Sequence, residues 1–180
     1  MNHCRQWSGI FRSDSGAKFW QWARLCVDLK KFPDQSWRLL KSRVMKLVPE
    51  IHFQGPGSTM AKWRASREMS ALISKICHAP VLRLNELVLQ YMDLRYVPPE
   101  DLVGAIQRLE MVQFLDGWMT DEQAAAILTM AKESRLGRIK RIKLLRVGGI
   151  DSVFTSLLHE SKLNNKLEVE RSPLDWSEWE

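Results

Sequence analysis

From Val48 onward, apolar residues return at one fixed spacing, L-x-x-L-x-L. The copies are Val48, Ile51 and Phe53; Leu84, Leu87 and Leu89; Leu109, Val112 and Phe114; and Ile139, Ile142 and Leu144. The last two apolar residues of each copy stand two apart, which is the period of a strand, so alternate side chains go to opposite faces. Four strands are predicted, from copies whose starts are 36, 25 and 30 residues apart. Leu167 and Val169 follow Ile142 and Leu144 by 25 residues and predict a fifth, although Asn164 stands where the spacing begins with an apolar residue.

Between these strands the period changes to that of a helix. Val97, Pro98, Pro99 and Glu100 lead into Leu102, Val103, Ile106 and Leu109, with proline in or before the first turn, where a missing N–H costs least. Thr120 with Gln123 forms a capping-box pattern, Asp121 and Glu122 suit the positive helix end, and Ala124, Ile127, Leu128 and Ala131 supply an apolar stripe. A shorter third helix is expected over Val153, Phe154, Leu157 and Leu158 with Ser152 as its cap, and a further helix over Lys62 to Cys77. The cluster Gln54 to Ser58 reads as a turn, since it lacks the lysine of a phosphate-binding loop.

A strand followed by a helix at about this period is the pattern of a leucine-rich repeat. The expected fold is α/β: a right-handed leucine-rich repeat solenoid, a short horseshoe fragment of about four to five repeats, with a helical N-terminal cap. Residues 1–43 are assigned to the cap and linker, 44–169 to the repeats and 170–180 to an acidic, tryptophan-bearing tail. Helices are wider than strands, so helices on the outer arc would curve the stack.

Asn85 to Ile150 resembles the ribonuclease-inhibitor-like leucine-rich repeat proteins, through "VPPEDLVGAIQRLEMVQF" and "MTDEQAAAIL". The resemblance departs at the asparagine or cysteine position after each strand, which falls on Pro56, Met92, Gly117 and Val147, so contacts other than the usual polar ladder must hold the turns. Cys4, Arg5, Gln6 and Trp7, then Phe19 and Trp20, are similar to the end of an F-box, and "WARLCVDLKKFPDQSWRLLKSRVMKLVPEI" resembles the linker that follows one. That resemblance implies a substrate-recognition part of an SCF-type ubiquitin ligase. The leucine-proline opening and first F-box helix have no counterpart before Met1, so binding to the SCF adaptor subunit is not expected. Trp7, Trp20, Trp22, Trp37 and Trp63 are expected to cover the open first layer of the stack.

Composition narrows the class. An apolar fraction of 45% with 27% charged residues is that of a folded chain, and no stretch reaches the roughly 18 apolar residues of a membrane span. Three separated cysteines, Cys4, Cys26 and Cys77, do not make a disulfide framework. Reduced thiols in the cytoplasm are expected, with the nucleus also open, and no membrane partner. The net charge of +6 is local: Arg135, Arg138, Lys140, Arg141, Lys143 and Arg146 lie in one acid-free segment and equal the excess of 27 bases over 21 acids.

No enzymatic pattern emerges. His3, His52, His78 and His159 are scattered, Cys77 and His78 are adjacent and cannot share a tetrahedral metal without ligands from elsewhere, and no C-x-x-C, H-E-x-x-H or G-x-S-x-G occurs. Catalytic residues, metal ligands and cofactors are therefore all expected to be none. The outward strand positions are Glu50, His52 and Gln54; Glu86, Val88 and Gln90; Met111, Gln113 and Leu115; Arg141, Lys143 and Leu145. They predict a patch grading from acidic through apolar to basic, suited to a protein or peptide anchored on Met111 and Leu115, with Tyr91 and Arg146 on its rim. The alternative is nucleic acid bound through Arg135 to Arg146, a stretch without an interleaved aromatic to stack on a base.

Overall fold

The computed structural model describes residues 24–28, 48–55, 62–78, 84–133 and 135–171. The L-x-x-L-x-L segments all form strands: β2 (Glu50–Gln54), β3 (Glu86–Gln90), β4 (Met111–Leu115) and β5 (Arg141–Leu145), joined by β1 (Arg24–Asp28) before them and β6 (Leu167–Glu170) after. Helices alternate with them: α1 (Lys62–His78), α2 (Pro99–Arg108), α3 (Asp121–Lys132) and α4 (Asp151–Leu163). The six strands make one wholly parallel sheet in the order β1-β2-β3-β4-β5-β6, so spatial order is chain order, a solenoid-like arrangement.

The inward residues decide this register. Ile51, Leu87, Val112 and Ile142 align across the sheet, as do Phe53, Leu89, Phe114 and Leu144, and each is at most 2% exposed. A one-residue slip of any strand would turn its apolar pair out to water, at roughly 1.5–3 kcal/mol per side chain. The leading residues Val48, Leu84, Leu109 and Ile139 are also buried, and they join Ile73, Ile106 and Ile127 from the helices in one core between sheet and helices.

The turns repeat as well. One carbonyl before each strand receives two successive N–H groups of the next repeat: Pro49 from Asn85 and Glu86, Asn85 from Glu110 and Met111, Glu110 from Lys140 and Arg141. Past the strands, Tyr91, Asp116 and Arg146 adopt the left-handed conformation with φ of 55°, 51° and 56°, and each donates its N–H to the neighbouring strand. Parallel bridges Asp93–Trp118 and Trp118–Gly148 continue the ladder beyond that bend. Gly117 allows this approach, since a Cβ there would lie 2.7 Å from the Met92 carbonyl oxygen. Backbone pairing thus holds the turns where the polar ladder is missing.

Three expectations need correction. Among the described residues the sheet has six strands rather than four or five, and the first, Arg24–Asp28, lies inside the segment assigned to a helical cap. Leu25 and Val27 occupy its inward positions, and Trp22, Leu25 and Val27 keep the repeat spacing with tryptophan in first place. The third of the helices that follow the strands is not short: α4 spans 13 residues against 10 for α2 and 12 for α3. Ser152 does not cap it, because the helix begins at Asp151 with Ile150 at the boundary and no side-chain cap. The F-box-like stretch, the turn residues 56–58 and positions 172–180 of the tail lie outside the described residues. No helix among those described is long and apolar enough to cross a membrane.

Candidate functional site

The outward residues form three rows across the sheet. The first runs Arg24, Glu50, Glu86, Met111, Arg141; the second Cys26, His52, Val88, Gln113, Lys143, Glu168; the third Asp28, Gln54, Gln90, Leu115, Leu145, Glu170. At about 4.8 Å between strands and about 3.3 Å per residue, they cover an area about 24 Å by 13 Å. Glu50, His52, Glu86, Gln90, Met111, Gln113, Leu115, Arg141 and Lys143 therefore share one face, as their spacing predicts. Tyr91 and Arg146 follow at the bend.

The predicted gradient does not survive at either end. Glu50 is ion-paired with Arg24 of β1, whose guanidinium is held above its ordinary pKa by that carboxylate. Glu168 of β6 pairs with Arg141 at 2.9 Å and Lys143 at 3.5 Å. Both ends are thus neutralised by the strands that flank β2 to β5, of which the spacing reveals β6 and not β1.

The same holds throughout the basic segment. Glu133 pairs with Arg135 at 3.1 Å, and Glu110 pairs with Arg138 at 3.3 Å and Lys140 at 2.7 Å. Hydrogen bonding from Lys140 is the main reason the Glu110 carboxyl is held below its ordinary range. Arg146 clasps the buried Asp116 at 2.7 and 3.1 Å and approaches Glu170 at 3.5 Å, which holds its guanidinium above its ordinary pKa. A run without acids in sequence is, in space, a row of cations each facing a carboxylate.

What remains is the middle. Met111, Leu115 and Leu145 are half-buried, and Val88 is buried although it points outward. Beside it stands Gln113, the register partner of Val88, whose amide donates to Glu86 Oε1 at 2.8 Å. Gln90 Nε2 makes a long contact of 3.4 Å to Asp116 Oδ2. His52 Nε2 is buried and has no hydrogen-bond partner among the described residues. The centre is apolar with amide edges, bordered by internally compensated charge.

Sequence reasoning missed three clusters. Asp93, 4% exposed, accepts two hydrogen bonds from the Arg95 guanidinium at 3.0 and 3.1 Å, and Arg95 lies over the Trp118 ring at 5.6 Å, beside Tyr96, which is 64% exposed. The spacing of strands and helices says nothing about such loop residues. Gln123 is more than a capping-box member: buried in α3, it accepts from Thr120 N at 2.9 Å and donates to the Leu94 and Val97 carbonyls, each at 2.6 Å. It fastens α3 to the turn of the preceding repeat. Thirdly, Cys77, His78 and Asp101 bring donor atoms within 4.8 Å of one another, the one His/Cys/Asp/Glu group of metal-binding kind among the described residues.

No protein-family model matches the chain, and comparison with curated proteins and with solved structures gives no match either.

Proposed function

We propose that this chain is a leucine-rich repeat protein of the ribonuclease-inhibitor-like type that binds a protein or peptide on its open strand face and carries out no catalysis. The observation that carries the reading is the centre of that face. Met111, Leu115 and Leu145 offer apolar area, Gln90 and Gln113 offer amide groups, and the charges of the outer strands already face opposite charges. A partner can bury the middle without stripping water from unpaired ions, which is the arrangement of a specific interface. Arg95, Tyr96 and Trp118, of the types enriched at binding hot spots, extend the candidate surface past the strand ends. F-box ancestry rests on the resemblance of Cys4 to Trp20, outside the described residues, and with it a substrate-recognition role in a ubiquitin ligase.

Nucleic acid is the weaker reading. Phosphates approaching Arg135 to Arg146 would first have to part those cations from Glu110, Asp116, Glu133 and Glu168, and the carboxylates left behind would repel them.

The test is a paired substitution against whatever protein the immobilised chain retains. Met111→Ala with Leu115→Ala should weaken binding by about tenfold to a hundredfold, while Arg141→Glu with Lys143→Glu should mainly slow association. For nucleic acid the order reverses, and affinity falls steeply with salt. Full retention by both folded variants would remove the strand face from consideration. Mixing the chain with the SCF adaptor subunit tests the ligase role separately, since a stable stoichiometric complex would place it in that assembly.

A further inference from the structure

On the helical side of the molecule, the end of α1 meets the start of α2. Cys77 and His78 close α1, and Asp101 sits in the first turn of α2. Neighbours in sequence need a third ligand from another element to enclose a metal, and the packing of α1 on α2 supplies it: thiol, imidazole and carboxylate donor atoms lie within 4.8 Å of one another. Two further features support this cluster. Gly104, one turn beyond Asp101, faces the thiol so closely that a Cβ there would lie 2.5 Å from Sγ, so the missing side chain is what leaves room for the sulfur beside Asp101. His78 Nδ1 lies 2.8 Å from the Ser74 carbonyl oxygen; donating there fixes the tautomer and leaves the Nε2 lone pair free, the orienting bond that metal-ligating histidines ordinarily make.

We propose that Cys77, His78 and Asp101 bind a zinc ion that clamps α1 to α2, with water completing the coordination. Thiolate with imidazole selects zinc over magnesium or calcium, which prefer all-oxygen sites. Bonds of about 2.3 Å to sulfur and about 2.0–2.1 Å to nitrogen and oxygen put tetrahedral donors about 3.3–3.6 Å apart, so from within 4.8 Å the three groups need close in by no more than about 1.5 Å on binding. His78 is exposed while Cys77 and Asp101 are half-buried, so the ion enters from solvent and side-chain rotation suffices. A cation suits the carboxyl end of α1 and opposes the amino end of α2, and these effects roughly cancel. The two negative charges of thiolate and carboxylate then decide the balance. Binding releases the thiol proton to solvent, and no electron is transferred.

The site lies away from the strand face, so it stands or falls apart from partner binding. The full chain, stripped of metal and kept reduced, is titrated with cobalt(II) while thiolate-to-cobalt charge-transfer absorption is recorded, and zinc is then added in competition. One equivalent of cobalt should raise the band, zinc should abolish it, and zinc should raise the melting temperature. Cys77→Ser should lose the band, Cys26→Ser should keep it, and His78→Ala and Asp101→Asn should each lower zinc affinity by about a hundredfold or more, beyond the tenfold to hundredfold typical of outer-sphere losses. Because His78 is exposed, its variant keeps the fold even if Cys77→Ser does not. The proposal is overturned if folded wild-type chain gives no band, if Cys77→Ser retains it, or if His78→Ala binds zinc as tightly as the parent.

Discussion

The two faces of the sheet are made by the same strands and obey different rules. Toward the helices, each position repeats its chemistry from strand to strand: isoleucine, leucine, valine and isoleucine in one row, phenylalanine, leucine, phenylalanine and leucine in the next. Toward solvent, no row keeps one chemistry across the sheet, although neighbours can match, as Glu50 with Glu86 and Leu115 with Leu145. Burial explains the contrast, since the inner rows must fill a shared volume without water, whereas the outer rows need only keep their charges compensated. The inner face therefore reports the fold, and the outer face is free to differ from strand to strand.

That contrast can be broken at graded cost. Leu87→Asp places a charge in the inner row without a partner and should remove more than about 4 kcal/mol, enough to unfold the chain; a melting temperature equal to the parent's would refute the register. Gln123→Met keeps the volume of the one buried amide in α3 but leaves the Val97 carbonyl and the Thr120 N–H unsatisfied, the Leu94 carbonyl keeping its bond from Val97 N, and should cost about 2–3 kcal/mol in urea unfolding.

Glu110 gives a smaller, pH-dependent effect. Its folded pKa lies below the ordinary 4.5, so its contribution is complete above that value and is lost as pH falls through the lower folded one. Glu110→Gln should be less stable than the parent at neutral pH by under about 1 kcal/mol, because the pair is largely solvated, and the gap should close in acid. A gap that persists at low pH would assign the loss to something other than charge. Smallest of all, Gln90→Ala, on the same strand as Leu87 and facing the other way, should change stability by under about 0.5 kcal/mol. A larger loss would mean that the open face helps hold the fold.

The parts legible in sequence are those that burial repeats. Period-2 alternation placed β2 to β5 in their observed register, and the Thr120–Gln123 pattern gave the start of α3, because each is decided within a few residues. β1 was not legible because tryptophan replaces the leading aliphatic residue. The compensation of charge was missed for a different reason. Glu110 stands 28 and 30 residues before the two cations it meets, so a segment that holds no acid can still be lined with them. In a stacked sheet the neighbour of a residue is found one repeat away, and a window of sequence shorter than a repeat misses it. The Cys77, His78 and Asp101 cluster was missed similarly, since its third member belongs to the next helix.

A sheet whose strand order equals its chain order also has a mechanical consequence. No strand is locked between two that lie far off in the chain, so each strand pairing closes a loop about one repeat long, and the entropy of closure is paid in similar instalments along the molecule. Tension applied through the ends would load the outermost strand first and peel strands away in turn, giving a series of small force steps where a sheet of interleaved order would rupture at once.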